Sequence, residues 1–95
     1  MGAGAGRLSL LDRRFPPAFR LWTVAVGPGR KLAFDEAEWR DALVVVELGQ
    51  IELDCLDGRQ ERFASGDVLC LAGLPLRALR NPGRERALLA AVSRR

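Results

Sequence analysis

Apolar and polar positions alternate with period two along much of this chain, and clusters of turn residues interrupt the alternation. Phe19 to Val26 (FRLWTVAV) is rich in strand formers, and Gly27-Pro28-Gly29 ends it with a turn. Ala42 to Leu48 is the most β-branched run. Leu43, Val44, Val45 and Val46 are apolar on both faces, which predicts a strand covered on both sides. Gly49 breaks that run. Ile51, Leu53 and Cys55 then alternate with Gln50, Glu52 and Asp54, the pattern of a half-buried strand. Asp57-Gly58 predicts a two-residue hairpin, with Arg59 to Phe63 returning.

Further along, Ser65-Gly66-Asp67 reads as a turn, Val68 to Leu71 as a buried strand, and Gly73-Leu74-Pro75 as a bend. Leu76 to Leu79 continues extended, up to a tight turn at Asn81-Pro82-Gly83. Ala87 to Val92 has helical propensity, but an antiparallel setting assigns it to a strand. The acidic stretch Asp35 to Asp41 fits an irregular loop or one helical turn. Short strands with turn signals roughly eight to twelve residues apart predict an all-β sandwich or barrel. No internal repeat or linker is visible. The expected organisation is a flexible segment over residues 1–14 and one barrel domain over 15–95.

Size and composition narrow the class. With 95 residues and 48% hydrophobic content, the chain is a single small globular domain. A domain this small buries a modest fraction of its surface, so covering its sheet edges in a homodimer would help. The net charge is +3. The basic residues gather at the two ends and the acidic ones in the middle, a distribution that favours attraction when the chain folds back on itself. No helix carries a basic stripe, so a nucleic-acid partner is not expected. No apolar run reaches membrane-span length and no leader is visible, so the expected location is cytoplasmic. Cys55 and Cys70 lie in apolar strand segments and read as buried, reduced thiols. Two cysteines without His are too few for a zinc site.

The segment Gly66 to Asn81 resembles the second signature motif of the cupin family. Gly66-Asp67 opens a short strand, Gly73 and Pro75 mark the bend, and Asn81 closes it. Gly49, followed by Gln50-Ile51-Glu52-Leu53, resembles the end of the family's first motif. The resemblance covers about residues 20–92. It implies a cupin-like double-stranded β-helix, that is, a jelly-roll barrel.

The same alignment implies loss of the family's metal ligands. Arg77 stands at one His position and Ala42 at the Glu position, and the His pair falls near Glu36 and Glu38 or one residue earlier. The chain contains no His. Asp35, Glu36, Glu38 and Asp41 could offer oxygens to a hard cation, but a permanent guanidinium at Arg77 would repel it. No metal and no cofactor are expected.

If Arg77 follows the family's inward parity, it is either a cross-strand ion-pair partner of Glu36, Glu38 or Asp41, or an anion hook for a carboxylate or phosphate. On the other parity it is exposed. The family's inward positions would place Val44, Val46, Ile51, Leu53 and Leu79 in the barrel, with Ala42 at the rim. Trp22 reads as core or pocket lining, and Trp39 as a pocket lid, dimer contact or packing residue.

The leading expectation is a metal-free domain that binds a small apolar or anionic molecule in the barrel, with Arg77, Trp39, Trp22, Val44, Val46 and Leu79 contacting it. One alternative is a metal-independent isomerase, cyclase or lyase. There Glu36, Glu38 or Asp41 would act as acid/base and Arg77 would stabilise negative charge. Another is a filled barrel serving as a protein-interaction module.

Overall fold

The computed structural model describes residues 8–33, 35–39, 41–71 and 75–95, without the side chain of Glu36. The predicted strands form as β1 (Phe19–Val26), β3 (Leu43–Leu48), β4 (Gln50–Cys55), β5 (Gln60–Ala64), β6 (Val68–Cys70), β7 (Leu76–Arg80) and β8 (Ala87–Arg94). The sequence reading missed β2 (Lys31–Ala33), which is too short to show a period. The acidic stretch contains one helical turn, α1 (Glu36–Trp39). At Ala87–Arg94 antiparallel pairing overrides helical propensity.

The strands build two four-stranded antiparallel sheets, ordered β1-β8-β3-β6 and β2-β7-β4-β5. They pack face to face as a jelly-roll barrel, so the fold is all-β. Val44 and Val46 of one sheet meet Ile51, Leu53 and Leu79 of the other in a single buried cluster with Leu69, Leu89 and Ala91. Ala42 is buried beside them. The inward positions named from the resemblance are therefore the ones that form the core.

Two glycines show how turns fix the register. Gly49 joins β3 to β4 with φ 78°, a left-handed conformation that favours glycine. A Cβ there would lie 3.0 Å from the Arg86 carbonyl oxygen and 3.1 Å from Ala87 Cα. The β4–β5 hairpin differs from the expected two-residue turn. The Cys55 amide donates to the Arg59 carbonyl, and Leu56, Asp57 and Gly58 form the loop. Only Gly58 there has positive φ, whereas a type I′ turn needs two such residues. Asp57 instead accepts a bond from the Arg59 amide.

Residues 8–10 form a strap against the barrel, while 11–14 are exposed; residues 1–7 lie outside the described residues. Leu10 is buried against Val45, Ala90 and Val92 on the outer face of β3 and β8, with Leu8, Phe15 and Phe19 around it. The Glu47 carboxylate fixes this strap by accepting the Ser9 hydroxyl at 2.5 Å and the Leu10 amide at 2.8 Å. The strap explains why β3 is apolar on both faces. Its inner residues fill the barrel, and Val45 sits beneath Leu10.

The basic ends and acidic middle do meet. Lys31 pairs with Asp54 at 3.6 Å, and Arg80 pairs with Glu52. Both cysteines are free thiols. Cys55 is buried as expected, but Cys70 is exposed, because edge strand β6 turns it to the outer face. None of the described helices is long and apolar enough to cross a membrane.

Candidate functional site

The turn geometry behind the Gly66–Asn81 motif is present. Gly66 has φ 92°, its amide donates to the Val46 carbonyl, and Val46 donates to the Asp67 carbonyl. This clamps the start of β6 to β3. At the far end Asn81 is fully buried. Its amide nitrogen donates to the carbonyls of Val26 and Glu85 at 2.9 and 2.7 Å, and its oxygen accepts the Gly83 amide at 2.9 Å. Asn81 thereby ties the β1–β2 turn to the β7–β8 turn. Residues 72–74, including Gly73 of the bend, lie outside the described residues.

Arg77 does not point into the barrel. Along β7, Ala78 pairs with Asp54, but Leu76 pairs with Cys55, so one β7 residue has no opposite number. That residue is Arg77, and it is exposed. A bulge of this kind reverses parity. Leu79 and Leu76 both enter the core, and the charge between them turns to solvent. Arg77 forms no ion pair with any described residue. Glu38 and Asp41 are also exposed, and the side chain of Glu36 lies outside the described residues. Glu38, Asp41 and Arg77 are thus not gathered inside the barrel. Among the described residues, no three Cys, Asp or Glu groups converge as metal ligands.

The two tryptophans do come together. Trp39 in α1 is buried, and its ring centroid lies 6.0 Å from that of Trp22 at an interplanar angle of 51°. Trp22 packs against the barrel core, and its indole Nε1–H is buried without a hydrogen-bond partner. Arg20, two residues earlier on the same face of β1, places its guanidinium 4.1 Å from the Trp22 ring centroid. Arg20 was missed from the sequence, although the parity Arg20-Trp22-Val24-Val26 could have pointed to it. An unpaired donor, a cation and two aromatic rings at one end of β1 make up the candidate site. Such a set can hold a planar or anionic group that carries a hydrogen-bond acceptor.

Among the described residues the deeper barrel interior is filled. Val44, Val46, Ile51 and Leu79 each have 0% exposure, and a water-sized void beside them would leave accessible surface. The two cavities described among these residues lie elsewhere. One, of about 290 Å³, is lined by turn residues including Gly49, Asn81 and Arg84. The other, of about 650 Å³, lies on the outer face beneath Phe15.

Comparison with solved structures defines the class. A cupin 2 conserved barrel domain protein from Salinispora arenicola superposes with a TM-score of 0.64 at 25% identity, over 84% of this chain and 68% of that one. The cupin 2 domain of an XRE family transcriptional regulator from Enterobacter cloacae gives 0.57 at 19% identity, over 79% of each chain. A cupin domain from Bordetella pertussis gives 0.61 at 12% identity, over 87% and 88%. No protein-family model matches the sequence, and no curated protein does. The chain has the cupin fold, by its barrel and its structural neighbours. The chain contains no His.

Proposed function

We propose that this cupin is a metal-free binding module whose small-molecule ligand sits at the Trp22–Trp39 end of the barrel. The observation that carries the reading is the buried, unpaired Nε1–H of Trp22. A buried donor left without an acceptor costs about 1–3 kcal/mol, and a ligand oxygen would recover that cost. Arg20 lies over the same ring and supports an anionic group on the ligand, while the tilted indoles support a flat apolar body. Arg20 thus takes the role that the sequence suggested for Arg77. The His-free sequence and the absence of converging metal ligands among the described residues support operation without metal. Two free cysteines fit a cytoplasmic setting.

The test is a tryptophan-fluorescence and thermal-shift titration with small carboxylates and phosphates, on wild type, Trp22→Phe and Arg20→Gln. A ligand that stabilises wild type, and stabilises both variants at least about tenfold more weakly, supports the site. Uniform behaviour of the three proteins removes it. Stoichiometric iron, manganese, zinc or nickel in purified protein would refute the metal-free reading.

A second reading, a filled barrel acting through its surface, is favoured by the solid interior and by exposed Leu43, Leu48 and Val68 on β3 and its edge partner β6. The partner in this reading is a second copy of the chain. Val68→Lys would then convert a dimer to a monomer in sedimentation analysis.

A further inference from the structure

We infer a second small-molecule site on the outside of the barrel, shaped for a zwitterion with an apolar body, such as an apolar α-amino acid. The groove of about 650 Å³ between the strap and the outer face of β8 and β3 has a volume typical of ligand sites. Phe15, Phe19, Leu43 and Val92 provide its apolar surface, and Asp41, Ser93 and Arg94 its polar rim. This inference does not rest on the Trp22 reading, because Trp22 faces the barrel interior.

The register puts the two charges at the same end of the sheet. Leu43 pairs with Val92 on antiparallel strands, so Asp41, two residues before Leu43, and Arg94, two residues after Val92, flank the same edge of the groove. Arg94 also pairs with Phe19 across β1, which sets an aromatic ring next to it. Neither charge forms an ion pair with any described residue, and they do not pair with each other. The rim therefore offers a separated carboxylate and guanidinium above an apolar floor. A ligand with ammonium and carboxylate on one carbon satisfies both, and its side chain covers Phe15, Leu43 and Val92. A simple anion or cation would satisfy one charge and face repulsion from the other.

The strap wall is held in place before any ligand arrives. Glu47 anchors Ser9 and Leu10, the Arg95 amide donates to the Ala18 carbonyl at 2.8 Å, and Leu10 packs on Val45 and Val92. A wall fixed by hydrogen bonds lowers the ordering cost of binding. Asp41 has φ 61°, which holds it away from the extended path of the following strand. Asn tolerates the same backbone region, so Asp41→Asn removes the charge with little strain.

The experiment is an amide-resolved NMR titration of the full chain with three probes: L-phenylalanine, 3-phenylpropionate and 2-phenylethylamine. L-Phenylalanine is expected to shift the amides of Leu43, Val92 and Ser93 saturably, with the Trp22 indole signal unmoved. Each single-charge analogue is expected to bind about tenfold more weakly. Arg94→Gln should erase the preference over phenylethylamine, and Asp41→Asn the preference over phenylpropionate. Unchanged amide dispersion in both variants would show that they fold. Equal affinity for the three probes overturns the inference, as does the absence of saturable shifts at about 10 mM, enough to fill a millimolar site. Groove shifts that follow protein concentration alone would also overturn it, because the groove would then be a contact between copies.

Discussion

Glu52 lies directly across from Arg80 in the β4–β7 ladder, and the two side chains are ion-paired. Arg62, across from Glu52 on β5, reaches the other carboxylate oxygen at 3.1 Å. The two hydrogen-bonded guanidiniums, Arg80 first and Arg62 second, hold the Glu52 carboxyl below its ordinary value of 4.5 against the opposing effect of burial. A depressed carboxylate contributes stability that is complete above its unfolded pKa and is lost as pH falls through its folded pKa. The arginines are half-exposed, so the effect is modest. Glu52→Gln is expected to cost about 1 kcal/mol at pH 7. Denaturant unfolding should show the gap between the two proteins closing as pH drops below about 4.5.

Asn81 holds two turns together from a fully buried position. Asn81→Ala would strand the carbonyls of Val26 and Glu85 and the Gly83 amide. At about 1–3 kcal/mol for the buried Val26 bond and less for the two part-buried ones, the loss should be about 2–3 kcal/mol. Thermal denaturation would read it. A drop equivalent to less than about 1 kcal/mol would mean that water replaces the amide.

Gly49→Ala and Gly29→Ala separate two causes of strain. Both glycines have positive φ, but only the Gly49 Cβ would meet backbone, at Arg86 and Ala87. Gly49→Ala should destabilise by about 2 kcal/mol or more, and Gly29→Ala by about 1 kcal/mol, the left-handed backbone cost alone.

Arg77→Ala should change stability by less than about 0.5 kcal/mol and leave ligand titrations at the Trp22 site unchanged, because Arg77 is exposed and unpaired with any described residue. A large loss of stability or binding would show that the bulge turns Arg77 inward when a ligand is present.

The sequence by itself determined the barrel. Period-two alternation along β4, the β-branched run of β3 and the turns at Gly49, Gly66 and Asn81 are local signals, and each strand formed where they placed it. The core followed from parity, because successive side chains on a strand must face opposite sides. The lack of any His was also legible, being a matter of composition.

Tertiary structure decided what parity could not. A single bulge opposite Cys55 turned Arg77 out of the barrel, and nothing in Leu76-Arg77-Ala78-Leu79 announces it. The sequence required a cover for Val45; only folding showed that it is the strap pinned by Glu47, some forty residues away in the chain. Arg20, Trp22 and Trp39 converge because sheet closure brings α1 over the start of β1. Strand periodicity reports which side a residue faces. Bulges, covers and convergent sites depend on long-range pairing, whose energy is spread over partners distant in sequence.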